Sequence, residues 1–156
     1  MLPLFGDRKP QQLLTAGAES YLMGAVFSPD GKWVAYTSRE SGRSEVYLTN
    51  FPQPRSKWQV SVHGGSEPKW RSDGRELFYV APQHKLMSVE VRQKSTFQAG
   101  VPRELFRMVI PDLGPSFPSN YEVVDQGQRF LVNTLVPNAP SSPISVVVNW
   151  TAELRR

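Results

Sequence analysis

The chain has 156 residues, with 18 Lys and Arg against 14 Asp and Glu, for a formal net charge of +4. That length suits one domain or a piece of one, and 39% apolar with 21% charged residues is a globular composition, not a disordered one. Cys is absent, which excludes disulfides, Cys-ligated zinc, iron–sulfur clusters and a Cys nucleophile.

No run approaches the roughly 18 consecutive apolar residues of a membrane helix. The opening MLPLFGDRKP lacks the basic start and apolar stretch of a secretory leader. Positive charge is interspersed with negative: Arg39, Arg43, Arg55, Lys57, Lys69, Arg71, Arg75 and Arg92 sit among Glu40, Glu45, Glu67, Asp73, Glu76 and Glu90. This is a mixed solvated surface and not the clustered basic face that nucleic acid requires.

The 14 Pro and 11 Gly are spread along the chain and leave little room for a long helix. Between them lie short runs rich in β-branched and aromatic residues. In chain order these are Lys32–Ser38, Glu45–Thr49, Lys57–Val62, Glu76–Ala81, Leu86–Val91, Arg129–Thr134 and Ile144–Trp150. Each is strand-length and bounded by turn residues. Leu86–Val91 alternates with period two, whereas other runs are nearly continuous, the pattern of strands covered on both faces. The chain therefore reads as all-β.

A repeat narrows the fold. FSPDGKWVAYTS (Phe27–Ser38) aligns on WRSDGRELFYVA (Trp70–Ala81), pairing Asp30 with Asp73, Gly31 with Gly74 and Tyr36 with Tyr79 at an offset of 43 residues. The period of a four-stranded propeller blade is about 40–45 residues. A degenerate third copy, Tyr121–Thr134, keeps Gly127 but lacks the preceding Asp. Asp-Gly between apolar runs signals a hairpin, because Gly tolerates positive φ and Asp bonds its own backbone. The preceding aromatics, Phe27 and Trp70, are expected to face neighbouring sheets.

The predicted architecture is a partial β-propeller. Residues 1–20 end a preceding blade, 21–63 and 64–107 form two blades, 108–119 an insertion loop, and 120–156 a C-terminal blade. The first blade takes strands near Met23–Ser28, Trp33–Ser38, Glu45–Asn50 and Lys57–Val62. The fourth strand of the second, near Phe97–Phe106, is interrupted by Gly100 and Pro102. Closed propellers have about 4–8 blades. An arc this short is expected to belong to a longer protein, or else to self-associate through its open blade faces, two copies making a ring of about seven.

SPDGKWVAYTS and RSDGRELFYV resemble the WD-like propeller repeats of the TolB type. More of the chain, including LPLFGDRKP, KLMSVEV, GQRFLVNT and ISVVVNWTAELRR, resembles the C-terminal propeller of bacterial serine/threonine protein kinases, acidobacterial ones in particular. That resemblance implies a sensor or interaction module on the periplasmic or extracellular side of a membrane. The chain has no Gly-rich loop with its Lys, no H-R-D and no D-F-G, so kinase activity itself does not carry over. TolB-like propellers also accompany prolyl-oligopeptidase-type hydrolases, so the alternative setting is an accessory propeller of such a hydrolase or a TolB-like envelope protein.

Candidate chemistry is sparse. His63 and His84 fall in turns without metal-ligand spacing. Ser66 in GGSEP lacks the last Gly of a nucleophile elbow. Asp30 and Asp73 are turn residues of separate repeats and not a catalytic pair. Gly64, Gly65 and Gly114 make no phosphate cradle, and Asn149 opens a formal glycosylation sequon. No catalytic residue, metal or cofactor is expected.

What remains is surface. The connections leading into each innermost strand, Ala18–Tyr21, Gly64–Glu67 and Ser119–Tyr121, are expected at one rim, where a rigid scaffold presents binding residues. Glu19, Tyr21, Glu67 and Tyr121 are the candidates for contact with a protein, a peptide or a small envelope ligand. Asp30, Gly31, Asp73, Gly74 and Gly127 are structural turn residues.

Overall fold

The computed structural model describes residues 12–14, 22–93, 97–109 and 119–134. Four strands, β1 (Leu22–Phe27), β2 (Trp33–Ser38), β3 (Glu45–Asn50) and β4 (Lys57–Gln59), form an antiparallel meander in sequence order. A second meander follows with β5 (Ser66–Trp70), β6 (Glu76–Ala81) and β7 (Lys85–Gln93). Its outer edge is β8 (Phe97–Ala99) and β9 (Arg103–Arg107), both paired with β7. These two are one fourth strand broken where Gly100 bends inward, its N–H bonded to the Glu90 carbonyl at 2.8 Å. A hairpin of β10 (Tyr121–Val124) and β11 (Arg129–Val132) follows. Successive antiparallel meanders packed face to face are the blades of a partial β-propeller. The expected strand Ile144–Trp150 and the preceding blade end at residues 1–11 and 15–20 lie outside the described residues.

Two apolar layers hold the sheets together. Trp33, Ala35, Val46 and Leu48 of the first sheet meet Leu77, Tyr79, Ala81, Val89 and Val91 of the second. On the far face of the second, Phe78, Val80 and Leu86 meet Met108 and Tyr121, with Val123, Phe130 and Val132 against them. Strand β6 is thus buried on both faces, the physical reason its sequence runs apolar without alternation. Each buried Val, Leu, Phe or Met among them contributes roughly 1.5–3 kcal/mol when removed from water.

The two Asp-Gly turns share one geometry. Gly31 and Gly74 adopt φ of 69° and 71°. The Gly31 N–H donates to the Ser28 carbonyl and the Gly74 N–H to the Arg71 carbonyl, both at 2.9 Å. Asp30 Oδ1 accepts from Lys32 N at 3.2 Å, and Asp73 Oδ1 from Arg75 N at 3.0 Å. The first turn is further tied by Ser28 Oγ, which donates to Asp30 at 2.6 Å. In the second, the Arg71 guanidinium takes that place, with Nε and Nη2 on Asp73 at 2.7 and 2.6 Å. Without its Asp, the third turn runs through three left-handed residues, Asp125, Gln126 and Gly127.

Two local expectations differ from the fold. Among the described residues, Phe27 has its ring contact within its own sheet and not with a neighbouring one. It is half exposed and packs edge-on against Phe51 at 4.9 Å, because the last residue of β1 sits beside the loop that follows β3. The predicted strand Lys57–Val62 leaves the ladder after Gln59, because Ser61 Oγ accepts from the Val46 N–H at 2.8 Å.

Candidate functional site

The connection from the first sheet to the second is a tight reversal. His63 and Gly64 both have positive φ, and a Cβ on Gly64 would lie 2.9 Å from Pro82. Gly65 N–H then donates to the Ser44 carbonyl at 2.9 Å, anchoring the start of β5 on the preceding sheet. A register shift between Ser66 and Lys69 lets Glu67 leave the ladder with φ of 54°. Its carboxylate accepts from Asn120 N at 2.7 Å and from Asn120 Nδ2 at 2.6 Å. The Tyr121 hydroxyl donates to the Glu67 carbonyl at 2.8 Å. Beside them Lys69 pairs with Glu122 and stands 5.6 Å over the Tyr121 ring. The connections leading into β5 and β10 therefore form one polar cluster spanning two sheets.

Tyr121 is only 2% exposed. Burial, then the charges of Glu67 and Glu122, hold its hydroxyl well above the ordinary tyrosine value, so it remains a donor. Its role at this rim is to position Glu67 and Asn120, not to present its own ring. Of the four candidate contact residues, the structure brings Glu67 and Tyr121 together. Glu19 and Tyr21 lie outside the described residues. Asn120, Lys69 and Glu122 belong to the cluster without having been singled out in sequence. Only the placement of Asn120 in the Ser119–Tyr121 connection pointed toward it.

At the opposite end of the second sheet, around the turn between β5 and β6, lies a charged cleft of about 580 Å³. Glu76, mostly buried, forms its floor. It accepts from Arg71 Nη1 at 3.0 Å and Arg103 Nη2 at 3.1 Å, and from Ser88 Oγ. Arg71 also holds Asp73, whose carboxyl falls to about 2 as a result. The structural turn residues Asp73 and Gly74 thus line a concave feature that composition alone presents as scattered surface charge.

Among the described residues, no group of three or more His, Cys, Asp or Glu is placed to hold a metal. His63 and His84 occupy separate exposed turns. No described helix is long and apolar enough to cross a membrane.

No family model matches the chain. In structure it is similar to TolB from Acinetobacter baumannii, with a TM-score of 0.57 over 84% of this chain and 30% of that one, at 16% identity. The fold is therefore that of a TolB-like β-propeller. In sequence the chain is 32% identical over 87 residues to dipeptidyl-peptidase 5 of Trichophyton tonsurans and 33% identical over 87 residues to that of Trichophyton equinum. The matched segment is 51% of this chain and 11% of each relative's length. The likeness to TolB shows the fold, and the chain spans about a tenth of the length of the peptidases it matches. These similarities do not support the kinase attachment read from the sequence.

Proposed function

We propose that the chain is a non-catalytic propeller module that binds a protein or peptide through the rim carrying Glu67 and Asn120. The observation that carries this reading is the Glu67–Asn120–Tyr121 cluster, which fixes polar groups from two sheets at the mouth of a rigid scaffold. A photoreactive benzoylphenylalanine at position 67 tests it. Crosslinking to a discrete partner, absent when the probe sits at exposed Arg55, supports the rim. Equal labelling from both positions refutes it. Alanine at Glu19, Tyr21 and Tyr121 together, with the probe kept at position 67, is expected to abolish the capture.

The resemblance of SPDGKWVAYTS and ISVVVNWTAELRR to kinase propellers favours a sensor region of a bacterial serine/threonine kinase, outside the membrane. The identity to dipeptidyl-peptidase 5 favours a second reading, an accessory propeller of a peptidase. Sequencing the transcript that carries this reading frame separates them: a kinase domain upstream supports the first, a hydrolase domain alongside supports the second.

A further inference from the structure

The cleft beside the β5–β6 turn is unused by the rim site, and its chemistry is specific. Four arginines line it, Arg71, Arg75, Arg92 and Arg103, with no lysine among them. They are not equivalent. Arg71 is spent on Asp73 and Glu76 through three of its N–H groups. Arg103 is anchored to Glu76 by Nη2 alone, with its side chain 67% exposed. Arg92 touches Glu90 only at 3.5 Å, both side chains being largely exposed, a pair of little strength. Arg75 is exposed; its charge helps to hold the Asp73 carboxyl low, but no side-chain ion pair joins the two among the described residues.

The inner carboxylates Asp73 and Glu76 are thus paired with Arg71 and Arg103, while Arg75, Arg92 and much of Arg103 remain exposed. The buried Glu76 holds Arg71 and Arg103 in place, so part of the ordering cost of a binding arginine is already met. A planar guanidinium presents paired N–H groups that match a carboxylate in bidentate fashion. Glu90, its side chain largely exposed, adds an acceptor for main-chain N–H groups. A peptide backbone has such donors, and a phosphodiester chain has none. The volume lies inside the roughly 300–1,000 Å³ of ligand sites.

We propose that this cleft binds an acidic peptide segment, with Arg75, Arg92 and Arg103 on its carboxylates. The proposal rests on the reading of the chain as a peptide- or protein-binding module and names the partner chemistry at a second place on it.

The test is binding of a fluorescein-labelled tetraglutamate peptide to the full chain by fluorescence polarisation at 50 and 300 mM salt. The expected result is saturable binding that weakens with salt. It should fall at least tenfold in R75E/R92E, with a smaller loss in R75Q/R92Q. It should change less than twofold in R55E/R129E, which carries the same change of net charge elsewhere. Unchanged thermal midpoints show that the variants fold. Absence of binding by the wild-type chain overturns the proposal, as does an equal loss in both charge-reversed proteins. Tighter binding of inorganic phosphate or an oligonucleotide also overturns it. The photocrosslink from position 67 is read separately. If it persists when tetraglutamate fails to bind, the cleft is wrong and the module reading stands; if it fails while tetraglutamate binds, the rim is wrong.

Discussion

The Tyr121 hydroxyl donates to the main-chain carbonyl of Glu67 across a blade boundary, at 2.8 Å, from a ring that is almost fully buried. One bond thus joins the first residue of β10 to the residue where β5 bulges, and the Asn120 bonds to the Glu67 carboxylate depend on the same placement. Gly65 on the Ser44 carbonyl is its counterpart one sheet earlier. In each case the chain ties itself to the preceding sheet as it begins a new one, which suits an array whose stability is the sum of neighbour interfaces. Removing the hydroxyl in Tyr121→Phe is expected to cost about 0.5–1.5 kcal/mol. Urea unfolding should show a lower midpoint at unchanged slope.

Gly127 and Gly31 both have positive φ, yet they should respond differently to alanine. A Cβ at Gly127 meets Arg71 Cδ at 2.9 Å and Phe78 Cζ at 3.0 Å, whereas at Gly31 nothing lies within 4 Å. Gly31→Ala therefore carries only the left-handed backbone penalty, about 1–2 kcal/mol. Gly127→Ala adds overpacking against the second sheet, roughly 1–3 kcal/mol more. Thermal melts of the two proteins should separate in that order.

Asp73 gives a pH signature. The Arg71 hydrogen bonds lower its carboxyl from the ordinary 3.8 to about 2 in the folded chain. The unfolded chain therefore binds a proton first as pH falls. The stabilisation is fully present above about 4 and is lost as pH drops toward 2. Its size is modest, because the Asp73 side chain is 41% exposed. The stability gap between the native protein and Asp73→Asn should close between pH 4 and 2; a gap that stays constant across that range contradicts the assignment.

Thr37 lies on β2 with its Oγ1 buried and without a hydrogen-bond partner among the described residues. Replacing an unsatisfied buried hydroxyl with a methyl group removes a desolvation cost of about 1–3 kcal/mol. Thr37→Val is expected to raise the unfolding midpoint. A lower midpoint would mean that the hydroxyl is bonded in solution.

Leu77 and Leu131 share a side chain and differ in surroundings, the first fully buried between sheets and the second 68% exposed. Leu77→Ala should cost about 2–5 kcal/mol through lost burial and a cavity. Leu131→Ala should stay within about 0.5 kcal/mol. Chemical denaturation of the pair measures how much stability sits in the interface between the first two sheets.

The turns were legible in the chain because their chemistry is local. Asp30 and Asp73 bond the N–H two residues on, and Gly31 and Gly74 supply the positive φ, so a five-residue window contains the whole cause. The continuous apolar run of β6 announced its two covered faces for the same reason, and Gly100 with Pro102 marked the break between β8 and β9. The site was legible only in outline. The connections before β5 and β10 were recognisable as neighbours from the repeat, but the sequence did not say that Glu67 would turn outward at a bulge and take both donors of Asn120, 53 residues away. Nor did it separate the arginines, since Arg71 and Arg103 are spaced like any surface charges until sheet pairing brings both onto buried Glu76. The sequence by itself determined where the chain turns and that the apolar run of β6 is covered on both faces, because those follow from backbone chemistry and periodicity. Tertiary structure alone decided which polar groups meet, because that depends on how the sheets stack and where each strand slips from register.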